Sequence, residues 1–294
     1  MCTLTEGCRR FCNPSIMHDP IPAIREDEAT GEIAALFADL RATLGVPFVN
    51  LIWRHLATMP GMLAWTWSVV KPMHATPALH QATERLRAGV TVPAGIGQPV
   101  EVFDAVRVMP ENRAVIRTML HDYGTGNSLN LLSLLLVQAI LAGDVPNGRA
   151  IEDSGSREPT GMMPRTLPPL PGLAELSPSL RKLVFDLDQF GRLAATDAVA
   201  SLYRHLAHWP GFLAVAHAAL SNSHQSGLLR AEHQRTLSHA TALVHGQLLP
   251  LAKVPPPPPT HSRAAAQAGI EIFTGQMIAR MVTMGEFMLA LLPP

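Results

Sequence analysis

Apolar residues recur at helical spacing through most of the chain. Ile33, Leu36, Phe37 and Leu40 fall at i, i+3, i+4 and i+7, which predicts an amphipathic helix within 27–44. Gly45-Val46-Pro47 breaks it, and a short helix is expected over 48–58. Pro60-Gly61 ends that one, because proline cannot continue the hydrogen-bond ladder and glycine tolerates the turn. Further helices are predicted over 62–70, 77–88 and 110–121, with an irregular Gly, Pro and Val-rich connection at 89–99. Residues 122–127, DYGTGN, read as a turn that opens a long buried helix over 127–141. No run alternates with the two-residue period of a sheet, so the expected fold is all-α.

The pattern occurs twice. Residues 51–64 read LIWRHLATMPGMLA and residues 201–214 read SLYRHLAHWPGFLA, 150 positions apart without a gap. Arg54/Arg204, His55/His205, Pro60/Pro210 and Gly61/Gly211 are among the identities. Leu180, Leu183, Val184 and Leu187 repeat the first helical face at an offset of 147, behind the N-cap and first-turn pair Ser177-Pro178. Thr274-Gly275-Gln276 repeats Thr125-Gly126-Asn127 at an offset of 149, ahead of a helix over 277–292. Two copies of one helical unit are therefore expected, each exposing a face for the other and packed as a pseudo-dimer about an internal two-fold. The boundaries read as a poorly ordered leader over 1–19, repeat 1 over 20–142, a linker over 143–169 and repeat 2 over 170–294. Met17 begins MHDPIPAI and is an alternative start. The proline run 255–259 reads as a stiff surface connection, with docking of an SH3-like partner the weaker alternative.

Lys plus Arg equals Asp plus Glu, 23 of each, so nothing points to nucleic acid or an anionic membrane surface. The apolar runs are short or interrupted; Leu129–Leu141 contains Asn130, Ser133 and Gln138, and no bilayer span is expected. With no apolar secretory core at the N-terminus, the expected address is cytoplasmic. A homodimer is compatible with the apolar composition. Cys2, Cys8 and Cys12 lie together in the leader at a spacing that fits no familiar zinc site, and read as free thiols. Phosphate-loop, dinucleotide, nucleophile-elbow and HExxH motifs are all absent from the sequence. His205 and His208 stand one helical turn apart without a third ligand at helical spacing, so no metal is expected.

The repeated arginines are the more informative pair. Arg54 and Arg204 near a two-fold are placed to clamp a small carboxylate with bidentate hydrogen bonds; alternatively each pairs with an acid of its own half or caps a helix end. Phe48, Asn50 and Leu51 open one repeated helix, and Ala198, Ala200 and Ser201 open the other. Facing halves would bring these two ends together, with free N–H groups directed at an anion. Asn127 and Gln276 are expected to start the last helix of each copy, as pocket amides or as ordinary caps.

These residues resemble the group I 2-haloacid dehalogenases, the all-helical type that accepts both enantiomers of short 2-haloalkanoic acids. The resemblance spans about 20–292 and is carried by Thr30-Gly31-Glu32, Arg41 to Val49, Leu56 to Gly61, Tyr123-Gly124, Gly126-Asn127 and Ala207-His208-Trp209-Pro210. It implies a pocket between two repeats, no cofactor or metal, and water activated by an aspartate for direct attack on the halogen-bearing carbon with inversion. Family pocket positions fall on Phe48, Asn50, Leu51, Asn127, Asn130, Ala200 and Ser201, and the aspartate falls on Leu202. Leucine accepts no proton, so a base must come from elsewhere or the protein is a silent relative that binds a small acid. Ala195-Thr196-Asp197 offers the alternative alignment, with Asp197 as the base; Asp122 is a further candidate, more simply a turn or cap residue.

Overall fold

In a computed structural model the chain is described over residues 21–146, 167–194, 198–253 and 255–294, and no strand occurs among these residues. The leader with Cys2, Cys8, Cys12 and Met17, most of the linker, and Asp197 lie outside the described residues.

The first half contains α1 (Gly31–Leu44), α2 (Leu51–Leu56), α3 (Met62–His74), α4 (Pro77–Ala88), α5 (Val100–Ala105) and α6 (Pro110–Ala142). The second contains α7 (Pro178–Gln189), α8 (Ser201–Leu206), α9 (Pro210–Gln225), α10 (Leu228–Leu243), α11 (Thr260–Ile272) and α12 (Ala279–Leu291). The π turn Phe273–Ile278 joins α11 to α12. The predicted faces are buried: Phe37 and Leu40 on α1, Val184 and Leu187 on α7. Ser177 caps α7 as expected, its hydroxyl accepting from Leu180 N–H at 3.3 Å. The repeated helices are shorter than the sequence pattern suggests, six residues each.

The turn expected at 122–127 does not form. Residues 110–142 make one unbroken helix, and Asn127 lies in its interior. Gln276 likewise falls inside the continuous α11 to α12 path, within the π turn, so neither amide starts a helix. The glycines read as turn signals serve close packing instead. A Cβ on Gly124 would sit 3.1 Å from the Arg87 guanidinium, which passes over the helix to reach Glu286 of α12 at 2.6 Å. A Cβ on Gly126 would sit 3.3 Å from Val46, in the loop that enters α2. Joined in this way, α6 is long and apolar enough to cross a membrane by length and composition, yet 78% of its most apolar window is buried within the protein. It is the central core helix.

Two apolar clusters result, and each draws on both sides of the linker. One combines residues of α1 to α4 and the C-terminal part of α6 with residues of α10, α11 and the π turn. The other combines the N-terminal part of α6 with α7, α8, α9 and most of α12. Phe48 packs against both. The contacts are reciprocal: α2 packs on α11, and α8 packs on α6. Tyr123 of α6 meets His205 of α8 at a ring separation of 5.7 Å, while Phe273 meets His55 of α2 at 5.8 Å.

Candidate functional site

The starts of α2 and α8 line one cavity of about 900 Å³. Neither helix has a side-chain cap, so their first N–H groups stay available. Two carboxylates fix the approach to these ends. Glu26 accepts from Val49 N–H at 2.8 Å and from Arg41 at 2.6 Å. Asp188 accepts from Ala200 N–H at 3.2 Å and is held by Arg192 and Arg280. Asp188 and Arg280 are 0% exposed, and Arg280 also donates to the Asp188 and Phe190 carbonyls. A buried charge persists only when paired and hydrogen-bonded, which this network achieves.

Phe48, Asn50, Leu51 and Arg54 line the cavity from one side; Ala200, Ser201, Leu202 and Arg204 line it from the other. Asn127 of α6 also reaches it. Asn130 does not line it: that residue is 0% exposed and accepts from Trp53 Nε1 at 2.8 Å, holding α2 onto α6. Asp122 belongs to the buried face of α6 and is also absent from the lining.

The polar atoms are incompletely used. Asn50 Nδ2 donates to Asn127 Oδ1 at 3.4 Å, which leaves Asn50 Oδ1 and Asn127 Nδ2 buried without a partner. Arg54 Nε is likewise buried and unbonded, and Arg54 makes no ion pair among the described residues. Arg204 Nε donates to the Pro171 carbonyl at 3.0 Å. A buried donor left without a partner is destabilising.

Tyr123 and His205 form a tight pair, Oη to Nδ1 at 2.6 Å, and Phe48 stacks on the phenol at 4.7 Å. Burial, with smaller contributions from His208 and Arg204, lowers the His205 pKa to about 4, against a weak opposing effect of the Pro168 carbonyl. Burial also pushes the Tyr123 phenol up, so its proton stays on. The ring is neutral at pH 7, with Nε2–H turned to the Pro168 carbonyl and Nδ1 accepting from Tyr123 O–H. His208 Nε2 is similarly 2.9 Å from the Pro169 carbonyl oxygen. These histidines tie the end of the linker to α8.

A pH dependence follows. The pKa values of His205 and His233 are lowered to about 4 and that of His74 to about 3, each mainly by burial. Unfolded histidines titrate near ~6.5. The unfolded chain therefore binds more protons as pH falls from ~6.5 toward ~4, and stability declines across that window. Denaturation midpoints measured from pH 7.5 to 4.5 are expected to fall steadily, and His205→Gln is expected to flatten the slope. An unchanged slope in the variant would refute the assignment.

No family model matches the chain. It is 36% identical over 67 residues to an (R)-2-haloacid dehalogenase of Pseudomonas putida, covering 22% of each chain. It is 31% identical over 74 residues to one from Rhizobium sp. (strain NHG3), covering 25% of this chain and 28% of that one. A configuration-inverting 2-haloacid dehalogenase of Alcaligenes xylosoxydans xylosoxydans is 25% identical over 196 residues, 66% of each chain. The aligned stretches thus span about a quarter of the first two relatives. A D-2-haloacid dehalogenase mutant solved with D-2-CPA superposes with a TM-score of 0.75 at 20% identity, over 92% of this chain and 96% of that one. The complex of D-2-haloacid dehalogenase with L-LA superposes with a TM-score of 0.65 at 20% identity, over 92% and 91%.

The fold is that of the helical D-2-haloacid dehalogenases.

Within this dehalogenase fold, Leu202 is 1% exposed and directed at the cavity, so the position carries an apolar wall and no carboxylate. The carboxylates that do line the cavity are Glu26 and Asp27, both ahead of α1. Sequence reasoning missed the Tyr123–His205 pair and the Asp188–Arg280 network. Each left a trace. His205 is a repeated residue next to a repeated arginine, and Arg280 is the one charge in the apolar run MIARMVTM.

Proposed function

We propose that the cavity binds a small 2-haloalkanoic acid and hydrolyses its carbon–halogen bond by direct attack of water. The observation that carries this reading is the set of unfilled polar atoms in one chamber: Arg54 Nε, Asn127 Nδ2 and Asn50 Oδ1. The two donors suit a carboxylate, with Arg204 beside them, and the carbonyl acceptor suits a water hydrogen. In the reaction, water oxygen forms a bond to C2 as the halide departs with its electron pair, the configuration inverts, and the water proton passes to a base. That base is assigned to Asp197, three residues ahead of the cavity residue Ala200. Two relatives carry the (R)-selective name, which favours preference for that enantiomer over the type accepting both. The duplicated chain is read as a pseudo-dimer, supported by the exchanged Tyr123–His205 and Phe273–His55 contacts. The repeat boundaries near 142 and 170 belong to the same reading.

Halide release from (R)- and (S)-2-chloropropionate tests the proposal. Release is expected, faster from the (R) acid, and Arg54→Met is expected to weaken binding by about ten- to a hundredfold, the loss of a charge-assisted bond of roughly 1.5–3 kcal/mol. Normal binding in folded Arg54→Met would remove the clamp. Leu202 favours a second reading, a relative that binds the acid without turning it over; binding by calorimetry with no halide released would establish that instead.

A further inference from the structure

The two copies contribute unlike walls to the cavity. On the α6 side, Tyr123 and Asn127 stand four residues apart and both line the cavity, Asn127 meeting Asn50. On the other side, Phe273, Met277 and Met281 recur at the same spacing, with Ile278 beside them. Phe273 holds the place of Tyr123, since each meets the repeated histidine of the opposite half. By that spacing Met277 takes the cavity place of Asn127, while Gln276, the sequence match of Asn127 at an offset of 149, accepts from Ala194 N–H at 3.0 Å and does not line the cavity. Ala200 answers Asn50 at an offset of 150. One wall offers hydrogen bonds. Its counterpart presents Phe273, Met277 and Ala200 to the cavity at these three places.

The chamber is also large. A three-carbon haloacid displaces about four waters, roughly 120 Å³ at ~30 Å³ each. The cavity measures about 900 Å³, in the upper part of the ~300–1,000 Å³ range of sites that enclose much larger ligands. A short acid would leave the Met277 wall bare, and bare apolar surface gives no hold on a small polar ligand.

We propose that the acid this site takes carries an unbranched apolar substituent of four or more carbons, laid along Phe273, Met277 and Met281 while its carboxylate stays at Arg54. This rests on the small-acid reading above and specifies its substrate class. Methionine side chains are flexible and polarizable, which lets one wall accept tails of several lengths.

Binding of straight-chain carboxylates from propanoate to decanoate, followed by calorimetry on the whole protein, tests this without turnover. From butanoate to octanoate, affinity is expected to rise about fourfold per methylene, the equivalent of ~0.8 kcal/mol each. Met277→Asn is expected to flatten that rise and Met277→Leu to keep it; Met281→Gln gives the same reading if the asparagine variant does not fold. Propanoate binding with no gain on lengthening would overturn the tail site and leave the small-acid reading standing. A fourfold rise that persists in Met277→Asn and Met281→Gln would place the tail elsewhere and also overturn it. Absence of binding at every length would remove the small-acid reading and the tail site with it.

Discussion

Replacing Asp188 by alanine is expected to destabilise the protein by about 3–5 kcal/mol, a large share of the ~5–15 kcal/mol that holds an ordinary domain together. Arg280 is 0% exposed, and its guanidinium binds the Asp188 carboxylate and the Asp188 carbonyl. Arg192 joins the same carboxylate and also donates to the Ala198 carbonyl at 3.2 Å. Removal of the anion leaves two cations close together with little water to screen them. It also takes the acceptor from Ala200 N–H, so the start of α8 loosens where it borders the cavity. Denaturant titration reads the first effect, with a fall in melting temperature on the order of 10 °C. The double variant Asp188→Leu, Arg280→Leu is expected to lose much less than the sum of the single variants, because a packed apolar pair replaces a charge stranded without its partner. Strict additivity of the two single losses, or a loss under ~1 kcal/mol for Asp188→Ala, would contradict the network.

Asp197→Asn is expected to lower the rate of halide release by ~10²–10⁴, the range for removal of a general base, with acid binding and fold retained. We infer this role from what else surrounds the cavity. Glu26 already accepts from Val49 N–H and Arg41, and Asp27 pairs with Arg25 on the outer edge. His205 accepts a hydrogen bond from Tyr123 O–H on Nδ1 and faces Pro168 with the rest of the ring. Leu202 has nothing to offer a proton. Each proton acceptor of the described lining is thus engaged, and Asp197 is the carboxylate nearest in sequence to the α8 start. Single-turnover rates with saturating 2-chloropropionate check the prediction. A variant that releases halide at the parent rate would exclude Asp197 as the base.

The helical character was legible because it is written in local patterns. The i, i+3, i+4, i+7 faces fix α1 and α7, and the ungapped 51–64 and 201–214 match pairs α2 with α8. Most of the candidate cavity residues followed from that pairing, since the starts of α2 and α8, with Phe48 to Leu51 and Ala200 to Leu202, line one cavity. Asn130 failed because a helix interior leaves one face for the cavity and another for Trp53, and periodicity does not say which partner an amide meets. The 122–127 turn failed for a related reason. Gly124 and Gly126 carry the local signature of a break, but their lack of a side chain answers to Arg87 and Val46, which arrive from distant parts of the chain. The Asp188 network was hidden by the same distance, 92 residues between partners.

The central helix α6 gives its first half to one apolar cluster and its second half to the other. Neither side of the linker is therefore a transplantable module. Recombination that moved one side alone would carry away half of the other's interior, so the two sides are constrained to be inherited and to diverge as a unit.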